Sequence, residues 1–457
     1  MPFTSYLLPF GFLQRHPNKR LQSAWNHAQL GLLALPFSTL IGILLLCLAC
    51  VQTWRQQYRL IIRRPLNWAI AGFSVWLVIT SCFAYSHSVA FIGLFNFLPY
   101  FLVFAGYSAL VQTPAQLRRW AWILVITSVP VVIIGLGQLF WGWGCHFQFL
   151  SIVLDWEIAP NGNPPGRMAS VLTYANTLAG YLVIVLSLSL GLLIENCQTL
   201  TSLNDQRHLP TTARFRLGFL SAAVSGNLVA LILTDSRNAW AIAMFIGLAF
   251  ALYQGWRWLV AGVMVVVGSV LCSAFGPLPV RQWLRTVIPA FFWARLTDQL
   301  YPNRPLATLR ETQWQFAWNL AQQHPWLGWG LRNFTPLYKA QMHVWLGHPH
   351  NFLLMLTAEI GIPAGIFFCV WVGWIVFQGF QTLGNWKGMT PSASGQQQVL
   401  QDRLIFFSYL VAFVACIFLN TVDVTVFDTR LNSPGWLLLA AICGVTYHQR
   451  AVKVSYK

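Results

Sequence analysis

The amino-acid sequence predicts an all-α fold, a polytopic transmembrane helical bundle of about ten to twelve spans with one large folded loop on the outer side. Three features predict it: a low content of charge, long uncharged stretches, and basic residues at the ends of those stretches. Only 9% of the 457 residues are charged and 56% are hydrophobic, whereas about 25% of a soluble chain is charged. This composition excludes a soluble enzyme, a disordered protein and a coiled coil.

Long stretches of the chain contain no Asp, Glu, Lys or Arg. A helix needs about 20 mostly apolar residues to cross a bilayer, and the stretch 65–117 is long enough for two crossings. The uncharged stretches are 21–54, 65–117, 120–154, 168–194, 217–234, 238–256, 258–280, 360–386, 404–422 and 431–449. Most of the predicted helices therefore lie inside the membrane.

The basic residues separate these stretches, where positive charge orients helices in a membrane. The net charge of +17 therefore does not indicate nucleic-acid binding, which needs a basic face. Short basic segments predict cytoplasmic positions for 55–64, 118–119, 195–216 and 450–457. Alternation then places the following segments on the outer side: 85–88, 142–167, 235–237, 276–349 and 423–430.

The first span conflicts with this alternation. Arg15 and Arg20 also indicate a cytoplasmic position, yet a single apolar stretch near 28–52 separates them from Arg55. A short hairpin broken around Pro36 would reconcile both ends.

The segment 276–349 divides the chain into three predicted regions. These are an N-terminal transmembrane bundle at 1–275, a large loop domain at 276–349, and C-terminal transmembrane helices with a basic cytoplasmic tail at 350–457. The loop is too aromatic to be disordered, and loops longer than about 12–15 residues are usually functional or disordered. We therefore expect it to be folded, with a short amphipathic helix over 308–323.

Four groups of polar residues lie near the predicted outer face. The first contains Arg167 and Asn176, the second Ser236 and Arg237, and the third Arg310 with the segment 324–330. The fourth is the segment 348–352, with His348, His350 and Asn351, followed by Glu359 and the segment 360–363.

Each group also has a structural interpretation. Arg167 could anchor its span at the interface, and Asp235 and Arg237 could satisfy each other, as paired charges at membrane depth usually do. Glu359 could cap a helix or pair within the bundle. His324 fits a turn before Pro325.

Together, these residue types suit one reaction. The planar fork of arginine binds phosphate or pyrophosphate in a bidentate manner, and histidine is suited to accept a hydroxyl proton near neutral pH. The 23 Trp could present flat apolar faces to sugar rings. Since neither a DxD-like carboxylate pair nor a Cys/His metal spacing occurs in the sequence, we expect chemistry that needs neither metal nor cofactor.

In order and topology, the four groups resemble the O-antigen ligase / O-antigen polymerase superfamily of bacterial inner-membrane proteins, over roughly 66–447. The first matching motif is an arginine with an Asn-Ala-Gly-type motif that opens a middle span, and the second is a Ser-Arg pair at a helix end. The third is an Arg with a His-Pro-Leu-x-Gly-x-Gly-like segment in a large periplasmic loop. The fourth is His-Asn followed by Glu-x-Gly-x-Pro.

The resemblance implies a GT-C-like fold in the bacterial inner membrane, with the large loop periplasmic and the C-terminus cytoplasmic. It also implies transfer of a glycan from an undecaprenyl-pyrophosphate-linked donor to an acceptor hydroxyl on a lipid or glycan. The implied pyrophosphate ligands are Arg237 and Arg310, and His350 is the implied base or acceptor-orienting group. We expect Arg167 to be a further ligand of the pyrophosphate or anion. The implied supporting residues are Asn351, Glu359, Asn176 and Ser236.

One cyanobacterial branch of the superfamily carries the name of inorganic-carbon (bicarbonate) transporters. The Trp and Gln content and the segment 161–174 are most similar to that branch, so bicarbonate transport, or an accessory role in its uptake, is the alternative function. In that alternative Arg237 would attract the anion. The charged residues crowd one face and no internal repeat is evident, which favours the ligase over a transporter.

Overall fold

The computed structural model describes residues 14–149, 154–203, 211–297, 305–386 and 393–455. Most of these residues are helical, and the predicted all-α polytopic class is confirmed. The helices before the large loop are α1 (Gln22–Ala34), α2 (Thr39–Ile62), α3 (Pro65–Cys82), α4 (His87–Leu94), α5 (Leu98–Leu110), α6 (Pro114–Phe140), α7 (Ala175–Leu203), α8 (Thr211–Leu233), α9 (Arg237–Gln254) and α10 (Arg257–Phe275). The remaining helices are α11 (Leu278–Val287), α12 (Ala290–Leu296), α13 (Arg310–Gln323), α14 (Phe334–Met342), α15 (Phe352–Ile360), α16 (Ile362–Gly384), α17 (Ala393–Val422) and α18 (Thr429–Ser455).

Nine helical segments of the described chain are long and apolar enough to cross a membrane. They comprise α2, α3, α4 with α5, α6, α7, α8, α10, α16 and α17. Two further long helices, α9 and α18, pack within the same bundle: α9 against α17 through Phe245 and Phe418, and α18 against α5 through Trp436 and Phe101. The protein is therefore a multi-pass membrane protein.

The first apolar stretch forms the expected hairpin. Helix α1 ends at Ala34 and α2 begins at Thr39, after Ser38 has capped α2 by accepting a hydrogen bond from the backbone N–H of Ile41 (3.3 Å). A Cβ atom on Gly42 would lie 2.6 Å from Cα of Leu35, so glycine allows the two helices to approach at the turn. Both ends of the hairpin therefore lie on one side of the bundle, as the basic residues require.

A partly buried ion network joins three helices at the predicted cytoplasmic end. Nε of Arg118 lies 2.6 Å from Glu195, and Nη1 of Arg118 lies 2.7 Å from Asp402. These contacts connect the start of α6 with the end of α7 and the start of α17. In the same end, Arg64 is buried and donates to the hydroxyl of Ser108 (2.8 Å). The basic residues from which the cytoplasmic end was predicted therefore also make contacts within the bundle.

The segment 276–349 contains α11 to α14, although residues 298–304 lie outside the described part of the chain. The expected amphipathic helix is confirmed as α13, beginning two residues later than predicted. It buries Phe316 and Leu320 against Phe334 and Tyr338. This small apolar cluster fixes α13 and α14 next to the end of α15.

A two-stranded antiparallel hairpin occupies part of the outer segment 142–167. Strand β1 (Cys145–Phe149) pairs with β2 (Leu154–Ile158), with Cys145 opposite Ile158. This hairpin was not predicted, because the alternation of its two five-residue strands is too short to stand out beside the apolar helices. It adds a local β element to the all-α architecture.

Candidate functional site

A cavity of about 1070 Å³ lies at the end of the bundle away from the Arg118 network. Asn176, in its wall, is 19 residues from Glu195 along α7, which corresponds to about 28 Å of helix. The wall is made by segments predicted to share the outer side, together with the outer ends of α2, α4 and α7. Its polar residues are Thr39, Tyr174, Asn176, Thr177, Arg332, Thr335, Lys339, His348, His350, Asp423, Thr425, Asp428, Thr429 and Arg430.

The carboxylate of Asp423 is the centre of the polar wall. Its Oδ1 lies 3.2 Å from Nδ1 of His350 and 3.7 Å from Nε2 of His348. The same oxygen accepts a hydrogen bond from the backbone N–H of Val424 (2.8 Å). Burial alone would raise the pKa of Asp423, but the hydrogen bond from His350, the electrostatic interactions with the two histidines and the hydrogen bond from the backbone N–H of Val424 outweigh it, so the pKa lies below its ordinary value. Asp423 is therefore an ionised acceptor at neutral pH.

His348 stays neutral beside this carboxylate. Burial is the largest cause that lowers the pKa of His348, to about 4. Electrostatic interactions with His350 and Arg310 lower the pKa further, whereas the interaction with Asp423 raises it. The contribution of Arg310 also indicates that this guanidinium lies within electrostatic reach of His348.

The conformation of His350 is set by the start of α15. Asn351 caps that helix, its side chain accepting from the backbone N–H of Leu354 (3.0 Å). His350 itself adopts a left-handed conformation with φ of +51°, which costs a non-glycine residue about 1–3 kcal/mol and is found most often at functional sites. The predicted supporting role of Asn351 thus has a structural counterpart: it fixes the backbone next to His350.

Arg167 reaches the cavity wall through Asn176. Its Nε donates to the carbonyl of Thr234 (2.8 Å) and its Nη2 donates to Oδ1 of Asn176 (2.7 Å). The amide nitrogen of Asn176 then donates to Oδ2 of Asp423 (3.4 Å). Arg167, Asn176 and Asp423 therefore form a chain of contacts that ends at His350.

Three further cations line the cavity. Arg430 donates to the carbonyl of Val171 and the hydroxyl of Thr173, and lies 3.6 Å from Asp428. Arg332 and Lys339 come from the large loop. Because Arg430 is held by three partners, Arg332 and Lys339 are better suited to reach a bound anion.

Arg237 and Arg310 are not among the described residues that line this cavity. Ser236 lies at the N-terminal boundary of α9, and Arg237 is the first residue of that helix, just beyond the Thr234 carbonyl that Arg167 contacts. Arg310 is the exposed first residue of α13. The structure thus brings His350 and Asn176 into one wall and connects Arg167 to it, while Arg237 and Arg310 are not part of that wall.

Glu359 is fully packed where the segment 324–330 meets the end of α15. The backbone N–H of Gly330 donates to the carbonyl of Glu359 (2.7 Å), and that of Phe334 donates to its carboxyl oxygen (3.4 Å). Burial raises the pKa of Glu359 to about 8, opposed by backbone hydrogen bonds from Arg332 and Phe334. The two motifs that contain these residues therefore pack against each other and position Arg332 beside the cavity.

The contact between the segment 324–330 and α15 explains why position 361 is a glycine. Gly361 has φ of +89°, and a Cβ atom there would lie 2.0 Å from the carbonyl oxygen of Trp326. The backbone N–H of Ile362 donates to the carbonyl of Pro325 (2.8 Å). Only glycine permits this approach, so the Glu-x-Gly-x-Pro motif closes the contact between loop and helix.

Asp423 and Arg332 are among the residues of the wall that the sequence did not single out as site residues, whereas His348 belonged to the fourth group without a role. His348 had no evident partner, since Asp423 lies 75 positions away. A signal did exist, because Asp423, Asp428 and Arg430 place three charges in one short outer segment of a chain with only 11 acidic residues. Charged residues in a short outer segment between two apolar stretches are therefore useful candidates for site residues.

Among the described residues, one set of donor atoms could hold a metal ion. It consists of His348, His350 and Asp423, whose ligand atoms lie within 4.8 Å of one another.

Residues 222–369 match the Wzy_C family model, described as O-Antigen ligase. The match supports the O-antigen ligase and polymerase superfamily. It covers 148 of the 457 residues and includes Arg237, Arg310, His350 and Glu359, but ends before Asp423.

The match supports a membrane glycan ligase or polymerase in general, with lipid-linked glycans as the general class of substrate. A search among curated proteins gives no match to the chain. The comparisons contain nothing that supports the bicarbonate-transporter branch.

Proposed function

We propose that this protein transfers a glycan from an undecaprenyl-pyrophosphate-linked donor to an acceptor hydroxyl at the periplasmic face of the inner membrane. The observation that carries the proposal is the His350–Asp423 pair in the wall of the outer cavity, with Nδ1 and Oδ1 at 3.2 Å. A histidine oriented by a carboxylate is an arrangement suited to accept a proton from a hydroxyl.

The protonation states suit a general base. Asp423 is ionised and accepts from Nδ1 of His350, so the neutral ring carries its proton on Nδ1 and leaves Nε2 as the acceptor. The acceptor oxygen forms a bond to the anomeric carbon of the donor while its proton passes to Nε2. The bond between that carbon and the pyrophosphate oxygen breaks, and its electron pair leaves with the pyrophosphate. Asp423 stabilises the imidazolium that results.

The cations around the cavity would stabilise the departing pyrophosphate. Arg332 and Lys339 line the wall, and the family resemblance adds Arg237 and Arg310. Positive groups already in place where negative charge develops lower the barrier without reorganising at the moment of reaction. Bidentate binding by arginine would also orient the leaving group.

The cavity has room and surface for both substrates. Its volume of about 1070 Å³ is at the upper end of the roughly 300–1,000 Å³ of common ligand sites. Val89, Ile92 and Leu419 form an apolar part of the wall that suits an isoprenoid chain, while Tyr174 and Trp345 present exposed rings to sugars. Holding both substrates in one cavity would supply orientation.

A deletion strain tests the proposal. We expect its surface glycans to be lost or truncated and to return with the wild-type chain but not with His350→Ala, while bicarbonate uptake stays at the parental rate. Unchanged surface glycans together with a loss of bicarbonate uptake would overturn the proposal in favour of the transporter.

A further inference from the structure

His348, His350 and Asp423 place three metal-binding atoms around one point in the cavity wall. Oδ1 of Asp423 lies 3.2 Å from Nδ1 of His350 and 3.7 Å from Nε2 of His348, and all three residues offer donors within 4.8 Å of one another. Ligands at about 2.0–2.1 Å from a tetrahedral zinc ion lie about 3.3 Å apart. Small side-chain rotations would bring all three into coordination. His348 would also give up the hydrogen bond that its Nδ1 accepts from the backbone N–H of His350 (3.2 Å), so that the ring proton moves to Nδ1 and Nε2 is free for the metal.

The donor set also indicates which metal would bind. Two imidazole nitrogens and one carboxylate oxygen suit zinc, whereas magnesium and calcium prefer oxygen ligands. Three protein ligands leave a fourth position of the tetrahedron, and all three residues line the cavity, so that a water or a substrate oxygen could occupy it.

The surroundings hold the ligands in place. Asn176 donates to the second carboxylate oxygen of Asp423 and is itself held by Arg167. The ring of His348 stacks on Phe427, with centroids 6.0 Å apart and planes at 21°. Such outer contacts orient metal ligands and are typically worth about 10–100-fold in affinity.

We propose that His348, His350 and Asp423 bind one zinc ion, and that bound zinc inhibits the protein. The binding follows from the geometry alone, whereas the inhibition rests on the proposed function. A metal on Nδ1 of a neutral His350 leaves the ring proton on Nε2. The nitrogen that would accept the hydroxyl proton is then blocked, and Asp423 is engaged by the metal.

Zinc titration of the purified full-length protein tests the binding. The protein should carry no polyhistidine tag, sit in lipid nanodiscs and be freed of metal beforehand. We expect one zinc ion per chain by calorimetry, and a cobalt(II) complex with the visible absorption of a tetrahedral site. Magnesium should give no binding heat. His348→Ala removes one ligand and should weaken zinc binding by more than the roughly 10–100-fold typical of an outer contact.

His343→Asn is the matched control. His343 is an exposed histidine of the same loop with φ of +56°, a conformation that asparagine tolerates, and it lies outside the three-residue set. Its variant should bind zinc as the wild type does. His348→Gln provides a second ligand variant if His348→Ala does not remain monodisperse.

The two proposals fail separately. A wild-type protein that transfers glycan but binds no zinc, or a folded His348 variant that binds zinc as tightly as wild type, overturns the metal site alone. Zinc binding that His348→Ala abolishes, in a protein without transferase activity, supports the metal site and overturns the proposed function. If both activities are present, zinc should inhibit transfer by the wild type and a chelator should restore it, and transfer unaffected at saturating zinc would refute the inhibition.

Discussion

Four groups surround the carboxylate of Asp423: the rings of His348 and His350, the amide of Asn176 and the backbone N–H of Val424. Removing its charge would therefore change the position of several side chains and the tautomer of His350. In the proposed reaction Asp423 would therefore act through His350, as a positioning residue.

Asp423→Asn should lower glycan transfer by up to the roughly 10²–10⁴-fold that a general base contributes. The amide has the same shape, but it can donate to Nδ1 of His350 and so favour the tautomer with the proton on Nε2. A purified lipid-linked donor assay measures the rate, with its pH profile. Glu157→Gln, at an exposed carboxyl of the hairpin, is the control and should transfer normally. A wild-type rate and pH profile in Asp423→Asn would remove Asp423 from the account.

Arg310→Lys should lower transfer about tenfold or more, because a hydrogen bond to a charged group contributes about 1.5–3 kcal/mol and a point charge cannot replace the bidentate fork. The same donor assay measures the loss. Arg281→Lys changes a cation on α11 of the same loop, outside the cavity wall, and should have little effect. Equal rates for the two variants would show that Arg310 does not contact the pyrophosphate.

The sequence predicted part of the site at this scale. His350 and Asn176 could be chosen because each begins or precedes an apolar helix at the outer face, where a polar residue needs an explanation. Asp423 could not be paired with His350 in advance, since 73 positions separate them and only the packing of α15 near α17 brings them together. The roles of all these residues remain predictions, and the wall includes neither Arg237 nor Arg310.

Helix α15 is the element that links the loop to the cavity. Its first turn follows His350 and its last turn carries Glu359, which is buried under the segment 324–330. The pKa of Glu359 is raised from 4.5 to about 8 by burial. Between these pH values the folded protein keeps a proton that the unfolded chain has released, so stability should fall as pH rises through this range.

Glu359→Gln should remove that dependence, because the amide is neutral at every pH. We expect the variant and the wild type to unfold at similar temperatures near pH 4.5, and the variant to be more stable near pH 8 by roughly 3–5 kcal/mol. Thermal unfolding in one detergent at several pH values measures this. Glu311→Gln, at an exposed carboxyl on α13, should keep the wild-type profile. A wild-type profile in Glu359→Gln would mean that Glu359 is ionised in the fold.

The long helices were predictable at this scale, since an uncharged stretch of about 20 residues has few alternatives to a span. The amphipathic pattern of 308–323 predicted α13, because its apolar residues recur at helical spacing. The contact between the segment 324–330 and α15 was not predictable, because it depends on backbone hydrogen bonds and on Gly361, which carry no hydrophobic pattern.

The whole molecule has two ends of different chemistry. One end is held by the Arg118 network, and the other carries the cavity with its histidines and carboxylates. The positive-inside rule assigns the first end to the cytoplasm, which would place the cavity in the periplasm, where lipid-linked glycans would be used.

Single-cysteine labelling tests this orientation. In a background in which all 9 native cysteines are replaced by serine or alanine, Gln341→Cys on α14 and Ala451→Cys near the end of α18 supply exposed positions at the two ends. An impermeant maleimide applied to intact spheroplasts should label Gln341→Cys alone, and should label both after lysis. Labelling of both positions, or of Ala451→Cys alone, in intact spheroplasts would contradict the assigned topology.

The most direct measurement of the central claim is glycan transfer by purified His350→Ala with a lipid-linked donor. The side chain is 30% exposed, so its removal should leave the protein folded and inserted, which a monodisperse elution profile and a wild-type unfolding temperature would verify. We predict a fall of about 10²–10⁴-fold in rate, the usual contribution of a general base. Transfer by His350→Ala at the wild-type rate would contradict the catalytic role of His350 and the function proposed for the cavity.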